Sequence, residues 1–189
     1  MLECLQHLAS GRRVLISLGI FLVMLLAMNL AATWFYHVTG GYGMLDLGGG
    51  ANLFDDRGSY TPGRAYTLIA HYGQSGRHVY YALLMADMFF PPLLGIFAVL
   101  AMTRALAVLV SARRRPYLLL LLPLAYVLAD WCENAGILGM LLNYPHELFA
   151  LAQYTDSVRA GKNILAKGSL LAVAVTWLLV LWRRRIQVR

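Results

Sequence analysis

Tyr126-Val127-Leu128-Ala129-Asp130-Trp131-Cys132-Glu133-Asn134 lies inside an apolar run from Tyr117 to Leu142 that is long enough to cross a bilayer. On a helix, Asp130, Glu133 and Asn134 are spaced i, i+3, i+4 and share one face, with Tyr126 one turn before them. One aspartate at the centre of a membrane helix costs about 2.5–3.5 kcal/mol on insertion scales. Two acids and an amide on one stripe therefore predict a helix whose polar face is turned inward, onto partners carried by other helices.

The other apolar runs complete the set. Of 189 residues, 60% are hydrophobic and 13% charged, where a soluble domain carries about 25% charged residues. The composition predicts one all-α integral membrane domain, a four-transmembrane-helix bundle with spans at about 14–35, 78–110, 117–142 and 156–182. The first span begins after Arg12-Arg13 and ends in Trp34-Phe35-Tyr36, an interfacial aromatic belt. It is longer than the apolar core of a signal peptide, about 7–15 residues. The second carries Pro91-Pro92, which remove two backbone donors and predict a kink. Residues 146–154 read as a short interfacial helix ahead of the fourth span.

Between the first two spans, residues 37–76 form a glycine-rich connection of about forty residues, long enough to be functional in its own right. Gly48-Gly49-Gly50 and Asp55-Asp56-Arg57-Gly58 mark turns. Thr61-Pro62 then opens a short helix whose Tyr66, Ile69 and Tyr72 are expected on the membrane surface, with Gly73 as its stop.

Arginine placement sets the expected orientation. Arg12, Arg13, Arg104, Arg113 to Arg115, Arg183 to Arg185 and Arg189 fall on one side. Arg57, Arg64, Arg77 and Arg159 fall on the other, offset by Asp46, Asp55, Asp56, Glu147 and Asp156. The positive-inside rule puts both termini in the cytoplasm and residues 37–76 outside, in a multi-pass protein of the plasma (bacterial inner) membrane. The net charge of +7 is thus a set of juxtamembrane anchors facing anionic lipid. It is no nucleic-acid groove, since no aromatics interleave the arginines. Of the two cysteines, Cys4 is expected in the cytoplasm and Cys132 within a span, and they form no Cys-x-x-Cys, so neither a disulfide nor a thiol or metal centre is expected.

Depth brings the polar residues together. At about 1.5 Å per residue, Asp130 lies about 20 Å above the cytoplasmic edge, Glu133 about 24 Å and Lys167 about 23 Å, while Asp87 is about 14 Å below the outer edge. Arg77, Tyr80, Leu84, Asp87 and Pro91 share one face of the second span. On the fourth span Asp156, Arg159 or Ala160, Asn163 and Lys167 are expected to share a face, which places Lys167 at the site. Lys162, about 140° around from it, is expected to snorkel to the outer interface. Asn29, with Thr33 one turn on, is expected to complete the lining from the first span.

The sequence thus proposes a cluster in which Asp87, Asp130 and Glu133 supply acid and base and Lys167 is the counter-charge. Arg77 or Arg159 reaches in from the rim, and Asn134, Tyr126, Arg77, Tyr80 and Asn29 contact a lipid-like ligand. No metal or cofactor is required. Three functions compete: acid–base chemistry on a lipid or isoprenoid-like substrate; an accessory or scaffold subunit in which the cluster is interhelical glue; and a proton-coupled carrier or channel subunit, which with four spans needs a homodimer or a partner membrane protein.

Overall fold

The computed structural model describes residues 7–38, 60–110 and 117–187. Of these, 91% are helical and none is in a strand. The elements are α1 (Gly11–Val38), α2 (Pro62–His71), α3 (Gly73–Asp87), α4 (Phe90–Leu109), α5 (Leu121–Asn143, after a 3-10 turn Tyr117–Leu120) and α6 (Phe149–Gln187). Among the described residues, four stretches are long and apolar enough to cross a membrane: Gly11–Ala31, Gly73–Leu109, Tyr117–Asn143 and Phe149–Gln187. The protein is accordingly an all-helical membrane protein. Cys4, the glycine triplet, Asp46, Asp55, Asp56, Arg57 and Arg113 to Arg115 lie outside the described residues.

Each boundary has a local cause. Thr61 caps α2, its hydroxyl accepting from the Arg64 amide at 3.3 Å, with proline next to it at the start of the helix. Gly73 adopts φ +61°, the left-handed conformation glycine takes without penalty, and so turns the chain from α2 into α3. The two residues Met88 and Phe89 interrupt the second span. Pro91 and Pro92 have no N–H for the carbonyls of Asp87 and Met88 four residues earlier. The indole N–H of Trp131 donates to the Met88 carbonyl instead, at 3.0 Å.

Two expectations are corrected here. Residues 146–154 are not a separate interfacial helix: from Phe149 the chain runs unbroken into α6, which has 39 residues. Nothing in that stretch breaks a helix, since it lacks proline, and its Ala152, Thr155 and Arg159 form a buried stripe. Nor do Tyr66, Ile69 and Tyr72 lie on the membrane surface. All three are buried in a core with Leu68, Tyr80, Leu84, Ile137, Met140 and Ala152. Aromatic side chains bury a large area on a short helix, and here each ring has a neighbour. Tyr72 lies 5.4 Å from Tyr80 and Tyr66 lies edge-on to Phe149 at 6.0 Å. The Tyr66 hydroxyl accepts from the Leu148 amide.

The chain divides into two compact units. One comprises Met24–Phe90 and Leu128–Lys162, the other Met1–Val23, Pro91–Val127 and Asn163–Arg189. The first holds the tyrosine-rich core just described. The second packs Ala98, Met102 and Leu120 against Tyr117, Leu119, Ala172 and Val173. In it, Phe21 stacks on Phe97 at 6.3 Å, and Arg183 Nη1 donates to the carbonyls of Val108 and Leu109, at 2.6 and 2.9 Å, closing the end of α4.

Candidate functional site

Within the first unit, α5 and α6 run antiparallel in a fixed register. Asp130 meets Lys162, Glu133 meets Arg159, and Gly136 meets Thr155. Each step along α5 is thus answered by a step back along α6. A Cβ built on Gly136 would stand 2.1 Å from Thr155 Oγ1, and one on Gly139 would stand 2.9 Å from Leu151 Cδ2. Glycine at these places lets the two backbones approach closely, as small residues do between membrane helices. That approach brings side chains of ordinary length on α6 within reach of short carboxylates on α5.

The site is an ionic cluster. Lys162 Nζ lies 2.6 Å from Glu133 Oε2 and 3.1 Å from Asp130 Oδ1. Arg159 Nε is 3.9 Å from Glu133 Oε1, and its guanidinium sits 5.5 Å from the centre of the Tyr60 ring. Asn134 Nδ2 donates to Asp87 Oδ2 and to Asp130 Oδ2, at 3.1 Å each, and so joins the carboxyl of α3 to that of α5. At the rim, the Tyr60 amide donates to Asp156 Oδ1 at 2.8 Å. Relative exposure is 0% for Glu133 and Asn134, 3% for Asp130 and 2% for Arg159. Lys162 is buried too, and Asp87 is half-buried.

Asp87, Asp130, Glu133 and Asn134 therefore come together as the helical spacing predicts, and Arg159 reaches Glu133. The lysine is different from the one expected. Lys162 is the common counter-charge, while Lys167 is exposed on α6. The buried face of α6 runs through Ala152, Thr155, Arg159, Lys162, Ser169, Thr176 and Val180, a seven-residue spacing pattern. The face expected from the sequence started at Asp156 and was one position out of phase, about 100° of rotation.

The remaining predicted contacts fall elsewhere. Arg77 sits over the Tyr144 ring at 4.5 Å and donates to the Ile69 carbonyl at 3.4 Å. Tyr80 is buried against Tyr72 in the apolar core. Asn29 is exposed on α1, and its amide donates to the Leu25 carbonyl one turn back, at 2.8 Å. Thr33 is exposed likewise, its hydroxyl on the Asn29 carbonyl. Short polar side chains satisfy themselves on their own helix in this way when no partner helix offers a group. Tyr126 is buried on α5 but belongs to the other unit.

The sequence reading missed Lys162 and Tyr60. A signal for the lysine was available, since Arg159 and Lys162 stand three apart with the same spacing as Asp130 and Glu133 on α5. Two helices packed antiparallel, one with acids and one with bases at that interval, match charge to charge.

Comparison with known proteins yields no family model that matches the chain, and no curated protein or solved structure that is significantly similar to it.

Proposed function

We propose that this is an integral membrane enzyme that carries out acid–base chemistry on a lipid- or isoprenoid-like substrate, with both termini in the cytoplasm and residues 37–76 outside. The observation that carries the proposal is the make-up of the cluster. Three carboxyl groups, Asp87, Asp130 and Glu133, are linked to two cations, Lys162 and Arg159, and Asp87 is the half-buried acid of the three. Charge in a low dielectric must be balanced, so neutrality of this centre calls for one shared proton. In this scheme Lys162 and Arg159 hold the buried acids in place, Asn134 passes the hydrogen-bonded link to Asp87, and Asp87 exchanges the proton with the substrate. Lys167, as an exposed side chain, takes no part.

A second reading is favoured by one observation, the complete burial of Glu133 and Asn134. In it, the cluster is a lock between helices of an accessory subunit. Lipid analysis of a deletion strain separates the two, with complementation by wild type, Asp87→Asn or Asp130→Asn. The enzyme reading expects Asp87→Asn to accumulate to the wild-type level and leave the lipid profile of the deletion uncorrected. A profile restored in full by Asp87→Asn sinks it. Orientation is tested by Ser75→Cys, at an exposed position, in a chain without native cysteine. An impermeant maleimide should label it in intact cells, and labelling only after lysis reverses the topology.

A further inference from the structure

The buried cluster contains more hydrogen-bonding capacity than its own side chains use. Arg159 is 2% exposed, yet its Nε–H and Nη2–H meet no hydrogen-bond acceptor among the described residues. The nearest carboxylate oxygen recorded for it, Glu133 Oε1, is 3.9 Å from Nε, beyond the range of a direct hydrogen bond, about 3.2 Å. One residue along α5, the fully buried Asn134 keeps an Oδ1 with no donor among the described residues, while its Nδ2 serves two carboxylates. A guanidinium cannot lose its charge to escape this position. A buried polar group left without a partner forfeits its hydration with nothing in return. A polar separation beyond about 3.5 Å is one that a bridging hydroxyl or water can close.

The surroundings select the chemistry of that third group. An anion would lie beside Glu133 and Asp130, and a cation beside Arg159 and Lys162. A neutral group is left. A ketone or an ether accepts from Arg159 but has nothing to donate to Glu133. A hydroxyl does both, since one oxygen accepts from the guanidinium while its proton points to Oε1.

We propose that Arg159 and Glu133 together hold one neutral hydroxyl, set to one side of the line between Nε and Oε1, from either a membrane-soluble alcohol or a water molecule. Naming the alcohol as the substrate's own polar end rests on the acid–base assignment above; the presence of a hydroxyl between the two side chains does not. The proposal narrows the substrate class to lipid alcohols over phosphates, carboxylates and amines, or else to a reaction that uses water.

The test uses the full chain in lipid nanodiscs. First, a structure at a resolution that shows ordered water should contain a non-protein oxygen within about 3.2 Å of Arg159 Nε or Nη2 and of Glu133 Oε1. Second, the chain is titrated with geranylgeraniol and, separately, with its methyl ether, which keeps the acceptor and lacks the donor. If the oxygen belongs to a lipid alcohol, the alcohol binds saturably and about tenfold or more tightly than the ether, as loss of one hydrogen bond to a charged group implies. Arg159→Lys keeps the charge, removes the planar fork and should abolish that preference. Should this variant not fold, the alcohol-to-ether ratio in the wild-type chain decides. The oxygen without saturable alcohol binding assigns the site to water. No such oxygen, or Arg159 bonded directly to a protein acceptor, overturns the proposal. The two claims fail separately: a full lipid profile with Asp87→Asn removes the acid–base assignment and leaves the oxygen in place, whereas a missing oxygen leaves the Asp87 result standing.

Discussion

The two compact units solve the same packing problem with different materials. In the unit made of Met24–Phe90 and Leu128–Lys162, helices meet through ion pairs, tyrosines and glycines at contact points. In the other, the buried residues are mainly alanine and leucine, and the buried hydroxyls of Ser169 and Thr176 donate to carbonyls of their own helix, Leu165 and Ala172. Between helices in lipid the hydrophobic effect contributes little, so packing and polar contacts must hold them. The first unit combines both. The second uses packing together with polar contacts at helix ends, such as that of Arg183. Substitutions in the first unit should therefore be costly and rescued only by a matching change of charge or volume, and those in the second should be milder.

The largest effect is expected from Lys162→Met. Breaking a buried ion pair by deleting one partner costs about 3–5 kcal/mol, because the other charge stays behind. Thermal unfolding of the purified protein should show a large fall in Tm. Adding Glu133→Gln or Asp130→Asn should restore much of it, since removing both charges avoids the penalty. A double variant that is stable and fully active would establish the cluster as a structural lock. Next comes Gly136→Ala. Its new Cβ meets Thr155 Oγ1 at 2.1 Å, and overpacking of this kind costs about 1–3 kcal/mol. Thr155→Gly in the same chain should recover the loss.

Gly95→Ala, in the second unit, should cost less. There the obstacle is Val127 Cγ2 at 2.8 Å, the tip of one side chain. Stability should fall by about 1 kcal/mol, with recovery in Val127→Ala. The smallest effect is expected from Lys167→Met, within about 0.5 kcal/mol, as for exposed positions away from special contacts. A loss as large as that of Lys162→Met would show the assignment of the counter-charge to be mistaken.

The fold was legible where a strong local rule applied. Runs of apolar residues gave the four spans, and i, i+3, i+4 spacing put Asp130, Glu133 and Asn134 on one face. Thr61-Pro62 announced the start of α2. The errors share a physical origin, the phase of a helix whose polar residues lie on more than one side. On α6, Asp156, Arg159, Lys162, Asn163 and Lys167 sit close enough in sequence to define two stripes. Which stripe turns inward is decided by α5, whose glycines at 136 and 139 admit it, and a single helix does not carry that information. The rim arginine shows the same limit: Arg77 and Arg159 were equal candidates, and the ring of Tyr144 retains the first. Asn29 was legible as a polar residue in an apolar span but not as one bonded to its own backbone.

The matched register of α5 and α6 has a consequence for how the protein is made. Asp130 and Glu133 are synthesised before Arg159 and Lys162, and α5 lies in the least hydrophobic of the four candidate spans found among the described residues. At about 5–20 residues per second, the acids spend a few seconds without their counter-charges. The translocon would therefore receive a weakly inserting segment before the partner that neutralises it. The two segments are expected to partition into the bilayer as a hairpin, with nascent chains truncated near Pro145 leaving α5 poorly integrated.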